Sequence, residues 1–168
     1  MIGIVLLYVG AVLFVNGIWL LGHIQDREVA ILNVFAGSVG AVVAVFSLAR
    51  GDMEAVQFAA YVLLFAFTYL WVAYNRFTGA DGRGLGWYCL FVALTALPIS
   101  IITLTGAAGD PFALWMGFNW AVWAVLWFLY FLLLALGKNI TRLVGVVTIL
   151  VGIATAWLLG FATLNGMI

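Results

Sequence analysis

Charge is what this chain has least of. Its 168 residues include six Lys and Arg, six Asp and Glu and one His, so that charged side chains make up 7% of the sequence. With 68% of the residues hydrophobic and a mean hydropathy of +1.28, there is too little polar surface to cover a water-soluble globule. The composition is that of an all-α integral membrane protein, with lipid as its surroundings. A formal net charge of zero and the lack of any basic run exclude the electrostatic footprint that nucleic-acid binding requires. The single cysteine, Cys89, cannot close an intrachain disulfide, and the single histidine, His23, cannot build a multi-histidine metal site. One His, one Cys and loop carboxylates do not assemble into nucleophile, base and orienting acid, and no glycine-rich phosphate loop is present. The chain is therefore read as a non-enzyme that needs no cofactor and no metal.

The few charges are not scattered. Asp26, Arg27, Glu28, Arg50, Asp52, Glu54, Arg76, Asp81, Arg83, Asp110, Lys138 and Arg142 fall between long apolar runs and mark water-facing ends. A spanning helix needs roughly 20 apolar residues. The runs are of that length, which predicts six spans at about 2–22, 29–49, 55–76, 85–106, 113–136 and 141–164, in one six-helix domain over 1–168 with very short loops. No basic segment precedes the first span, which is full length and reads as a permanent helix. The loops after spans 1, 3 and 5 carry Arg27, Arg76, Arg83, Lys138 and Arg142, against Arg50 alone on the other side. Positive charge stays in the cytoplasm, so both termini are expected outside.

No ionisable residue lies in the middle of a span. Proton relays use buried Asp, Glu or His and voltage sensors use Arg, so a proton-coupled pump is disfavoured. Nothing at the membrane centre offsets the desolvation of an ion, which disfavours an ion channel with side-chain selectivity.

Small residues recur instead. Gly3, Gly10 and Gly17 share a side of the first span, Ala36, Gly40 and Ala44 one of the second, and Gly152, Ala156 and Gly160 one of the sixth. Such stripes let backbones approach closely and read as helix contacts. Pro98 interrupts the fourth span and predicts a kink through a lost hydrogen bond. Asn16, Asn33, Thr68, Thr95, Asn119 and Thr148 lie inside spans, where an unpartnered amide or hydroxyl costs roughly 2–7 kcal/mol. Interhelical hydrogen bonding accounts for most of them. Asn119 is set apart because it lies among tryptophans.

Aromatic residues are the chain's abundance. Trp115 to Tyr130, WMGFNWAVWAVLWFLY, holds four of the eight tryptophans. Trp120, Trp123, Trp127 and Tyr130 recur at steps of 3, 4 and 3, the spacing of one helix face. In the third span Tyr61, Phe65 and Tyr69 are four apart, with Phe58 and Thr68 beside them. Periodicity alone leaves two readings. The stripes fill a bundle core, or they line a path for a small, neutral, planar, polar molecule. Ring faces can sandwich such a molecule while an indole N–H, a tyrosine O–H or Asn119 replaces part of its hydration.

Longer blocks add to this reading. GIVLLYVGAVLFVNGI near the N-terminus, the central FAFTYLWVAYNRFTGADGRGLGWYCLFVALTALP, WAVLW in the fifth span, and LGK followed by TAWLL resemble the AmiS/UreI family of bacterial urea channels and short-chain amide transport proteins. The likeness runs from the first span to the last, with the second the weakest. It implies a six-helix inner-membrane protein, a homohexameric ring with one pore per protomer, two inverted three-helix repeats, and both termini outside. It implies a pore lined by Leu6 and Leu13, Phe65 and Tyr69, and Trp120, Trp123, Leu126 and Trp127, with Asn119 a further candidate for hydrogen bonding. A family tryptophan falls on Met116, so the outer end is expected to be lined differently. A family glutamate in the sixth span falls near Val147 or Thr148, which leaves solute preference open.

Acid-gated members carry longer outer loops rich in histidine. Here those loops, around Arg50-Gly51-Asp52 and Ala107 to Asp110, are short and hold none, and His23 is on the cytoplasmic side. The expectation is a passive channel for urea or short aliphatic amides such as acetamide, without acid gating. An energy-coupled secondary transporter of short-chain amides is the alternative.

Overall fold

The computed structural model describes residues 1–168, and the chain is helical throughout. Six helices are long and apolar enough to cross a membrane: α1 Ile2–Leu20, α2 Asp26–Leu48, α3 Met53–Thr78, α4 Arg83–Gly106, α5 Pro111–Leu134 and α6 Thr141–Leu164. Most ends fall within a few residues of the apolar runs. Helices outlast those runs where polar residues take over the capping. The Asp52 carboxylate accepts the Ala55 N–H at 2.7 Å and starts α3, and the Asp110 carboxylate accepts from Phe112 and Ala113 at 3.3 and 3.1 Å ahead of α5. Pro111 follows in the first turn, where its missing N–H costs nothing. At α1 the chain stops at Leu20, and Gly22 takes a left-handed φ of 87° to turn toward α2. The fourth helix runs on through Pro98 to Gly106.

Because the connections are short, successive helices alternate in direction, and α1, α3 and α5 run parallel to one another. The closest packing is between α2 and α3, between α4 and α5, and between α6 and α1; looser contacts of α1 with α2, α3 with α4 and α5 with α6 close the ring. Glycine explains the close pairs. A β-carbon on Gly10 would lie 2.6 Å from the backbone nitrogen of Trp157, and one on Gly160 would lie 2.6 Å from that of Leu7. The glycine stripes of the first and sixth spans are thus two sides of one seam. On the second pair, a β-carbon on Gly37 would meet Leu70 at 2.6 Å, and Gly40 faces Ala66. All three small-residue stripes serve helix contact. The pairing does not reproduce two inverted halves, since close α2–α3 packing would then have an equally close α5–α6 counterpart.

Most of the amides and hydroxyls singled out within the spans are satisfied by the chain itself. Asn16 and Asn33 exchange reciprocal amide hydrogen bonds of 3.1 and 2.6 Å between α1 and α2, and Asn33 also donates to the Val29 carbonyl. Thr68, Thr95 and Thr148 each donate to the carbonyl four residues earlier in the helix.

In α6, Gly152–Trp157 forms a π-helical turn. Such a turn shifts the hydrogen-bond ladder and leaves carbonyls open to side chains. The Thr155 carbonyl accepts from the Asn119 amide at 2.8 Å, and its hydroxyl accepts the Trp123 indole N–H at 2.8 Å while donating to the Val151 carbonyl.

Two consequences are measurable by thermal unfolding in detergent. Gly10→Ala forces α1 and α6 apart and is expected to cost about 1–3 kcal/mol, as overpacking does. Thr155→Val strands a buried indole N–H and is expected to cost about 1–3 kcal/mol, whereas Thr155→Ser, which keeps the hydroxyl, recovers most of that loss.

Candidate functional site

Long side chains of the parallel helices α1, α3 and α5 converge between them and bound two cavities in series. The first lies near the N-terminal ends of these helices, encloses about 110 Å³, and is lined by Ile2, Val5, Leu6, Val9, Phe58, Tyr61, Val62, Phe65, Met116, Trp120 and Trp123. The second lies toward their C-terminal ends and encloses about 40 Å³. Leu13, Asn16, Trp19, Phe65, Thr68, Tyr69, Val72, Trp123, Leu126, Trp127 and Tyr130 line it, with Leu85 and Cys89 contributed by α4. A single water needs roughly 10–15 Å³ of such space, so even the smaller cavity is roomier than one water requires. No Asp, Glu, Lys, Arg or His lines either one.

Phe65 and Trp123 line both cavities and therefore form the partition. Their rings meet edge to face, with centroids 5.0 Å apart and planes at 85°. Phe65 is the hub: Trp120 at 5.8 Å and Trp127 at 4.7 Å also approach it edgewise, and Trp120 in turn packs against Trp123 at 5.2 Å and Tyr61 at 5.3 Å. Each such pair contributes about 0.5–1.5 kcal/mol beyond its buried area, so the partition is held stiffly. Helical spacing accounts for the geometry. Residues 120, 123 and 127 share one face of α5, and 61, 65 and 69 share one face of α3.

The polar edges of these rings divide into two groups. The Trp123 N–H is engaged by Thr155, and the Tyr130 hydroxyl lies 3.1 Å from that of Thr148. Thr68 donates to Leu64. By contrast the indole N–H groups of Trp120 and Trp127 and the Tyr69 hydroxyl have no partner in the chain, although their residues are only 5, 6 and 4% exposed. None of these three atoms is sealed in protein, in contrast to Asn75 Nδ2 and Asn119 Oδ1, which are sealed and unpartnered. The free donors therefore open onto the cavities that their rings line: Trp120 on the first, Tyr69 and Trp127 on the second.

Of the residues singled out from the sequence, Leu6 and Trp120 lie on the first cavity, Leu13, Tyr69, Leu126 and Trp127 on the second, and Phe65 and Trp123 on both. Asn119 lines neither, because its amide is turned toward Thr155. Met116 stands on the first cavity, at the end where a different lining was expected. Thr148, one of the two positions at which the family acid was expected, is fully buried, and its hydroxyl lies 3.1 Å from that of Tyr130. Sequence reasoning passed over Val9 and Asn16 as lining residues, although each stands three positions after a chosen leucine on the same helix face. Leu85 and Cys89 gave no signal, since nothing in the α4 pattern tells that it closes one wall.

Comparison with known proteins agrees with this architecture. A protein of Mycolicibacterium smegmatis described as a transporter of amidate substrates is 46% identical over 167 residues, covering 98% of this chain and 76% of its own. The acid-activated urea channel of Helicobacter pylori is 32% identical, with 94% of each chain covered. That alignment extends over 184 positions, more than this chain has residues, so the channel carries insertions absent here. The crystal structure of the Helicobacter pylori urea channel superposes with a TM-score of 0.89 at 32% identity, over 99% of both chains. The model of the AmiS/UreI family transporters matches residues 1–167. Six apolar spanning helices, two aromatic cavities in series and a family match over nearly every residue lead to one conclusion: this multi-pass membrane protein belongs to the AmiS/UreI family.

Proposed function

We propose that the protein is a passive channel for urea or short-chain aliphatic amides such as acetamide, and that the two cavities between α1, α3 and α5 are its path. The observation that carries this reading is the pairing of apolar, aromatic walls with three unengaged donors, on Trp120, Trp127 and Tyr69. A planar amide fits between ring faces and accepts one hydrogen bond at a time through its carbonyl. Partial replacement of its hydration lets it enter without holding it, as conduction requires. Phe65 and Trp123 form the central constriction and Leu6, Leu13 and Leu126 the apolar walls. Asn119, a further candidate by sequence, acts through Thr155 and the π turn in this reading. Relatives that carry urea and amide substrates support the solute class.

The chain forms one channel domain, set in a bacterial inner membrane with its termini outside and assembled as a homohexamer with one pore per protomer. The excess of Lys and Arg on the loops after α1, α3 and α5 supports the orientation, and family likeness supports the ring. It is not an enzyme in this reading, and it has no acid gate. Its outer loops hold no histidine, and insertions of the acid-activated channel are missing from it. On the opposite side, the Arg83 backbone N–H at 3.0 Å, and then its guanidinium at 2.7 Å, hold the Asp81 carboxyl below its ordinary pKa. A depressed carboxylate contributes its stabilisation above its unfolded pKa and loses it only as pH falls through the lower folded value. This contact therefore stays intact between about pH 7 and pH 5.

Stopped-flow measurements on proteoliposomes test the reading. Urea and acetamide are expected to equilibrate faster than in empty vesicles at neutral pH; equal rates would overturn it, and uptake that collapses on adding a protonophore would replace it with energy-coupled transport. Trp127→Ala is expected to shift the permeability ratio of urea to butyramide by about tenfold, a pocket's usual discrimination of one or two methylenes. Tyr69→Phe, which removes one free donor, is expected to lower urea flux about threefold to tenfold. Flux in the unmodified protein is expected to stay level between about pH 7 and pH 5, and a severalfold rise on acidification would reveal a proton sensor.

A further inference from the structure

Where α1 ends, Trp19 stands between the smaller cavity and water. Its ring lines the cavity of about 40 Å³. Its indole N–H donates to Asp26 Oδ1 at 2.8 Å, and the other oxygen of Asp26 faces Arg76 Nη1 at 3.4 Å. The Arg76 guanidinium in turn lies over the Trp19 ring, 5.2 Å from its centroid. One indole is thus held twice, by a charge-assisted hydrogen bond at its edge and a cation above its face. The three residues come from α1, α2 and α3, so the cluster ties three helix ends together at one mouth. The Asp26 side chain is 58% exposed and that of Arg76 only 21%, which sets the carboxylate at the water and the guanidinium against the ring.

We propose that Trp19 is the size-limiting residue of this mouth, and that Asp26 and Arg76 are its positioning residues. The assignment rests on the channel reading above and adds a selective element to it beyond the Phe65–Trp123 partition. A solute leaving the smaller cavity toward the loops passes the edge of Trp19. The neutral Asp26–Arg76 pair presents no net charge to a neutral amide, while it keeps the indole from swinging aside. A ring freed of that pair samples other rotamers, which widens the mouth and admits longer amides.

Cys89 reports on this directly, because it is the only cysteine and lines the same cavity. The experiment measures the rate at which N-ethylmaleimide modifies Cys89 in the purified full chain, alongside butyramide and urea flux in proteoliposomes. Trp19→Ala and Asp26→Asn are each expected to speed modification by about fivefold or more, the effect of losing a contact worth one exposed charged hydrogen bond. Trp19→Phe keeps a ring without the N–H and is expected to fall between wild type and Trp19→Ala. Gly10→Ala, which lowers stability away from the mouth, is expected to leave the rate unchanged, so that a gain in Trp19→Ala and Asp26→Asn alone marks the mouth and not general loosening. The butyramide-to-urea ratio is expected to rise in the same two variants. Modification rates within about twofold of wild type in both would overturn the proposal, as would an equal acceleration in Gly10→Ala. Absence of flux through the wild-type protein overturns the channel reading instead, and the Cys89 rates still decide the mouth.

Discussion

The constraint behind this structure is that a hydrocarbon interior supplies no hydrogen bonds. Every polar group placed there must find its partner within the chain or lose several kcal/mol. Continuous helices answer the constraint for the backbone. Threonines answer it by bonding back along their own helices, and Asn16 and Asn33 answer it by bonding each other. The π turn of α6 extends the same logic, since it offers one residue, Thr155, as acceptor for both Asn119 and Trp123. Against that background the donors left open on Trp120, Trp127 and Tyr69 acquire meaning. They face space and not packed protein, so an acceptor in that space is what they lack.

Packing and cavity wall are built from the same residues. The edge-to-face contacts around Phe65 bury the tryptophans almost completely, as a bundle core would, and yet the cluster bounds a cavity on either side. Rigid rings make this combination workable. Aromatic side chains have few rotamers, so a wall made of them keeps its shape beside empty space, where flexible aliphatic chains would collapse inward. The close glycine seam between α1 and α6 and its counterparts in the other pairs fix the backbones on which those rings stand.

Much of the fold was legible in the chain because the rules of the bilayer are strict. Span positions follow from apolar length, and the glycine stripes of α1 and α6 marked their seam. Helix pairing was less legible. A stripe of small residues says that something approaches but not which helix does, so two inverted halves remained conceivable until the packing grouped the helices as α2 with α3, α4 with α5 and α6 with α1. Eight of the nine site residues lie on a cavity wall because 3.6-residue periodicity and family blocks mark the same faces. Asn119 does not, because its position on the helix could not tell a side chain facing the axis from one turned to a neighbouring helix.

The sequence by itself determined a six-span membrane protein of one family, with charge confined to its ends and aromatic stripes on its third and fifth helices. Hydrophobic length, charge placement and periodicity are local properties, and they survive any rearrangement of the helices. The tertiary structure alone decided that Phe65 and Trp123 share a partition, that Thr155 engages Trp123 and leaves Trp120 and Trp127 free, and that Trp19 meets Asp26 and Arg76 where three helix ends come together. Those are contacts between residues tens of positions apart. They depend on how closely glycine lets each pair of helices approach and on the angle at which the side chains then meet.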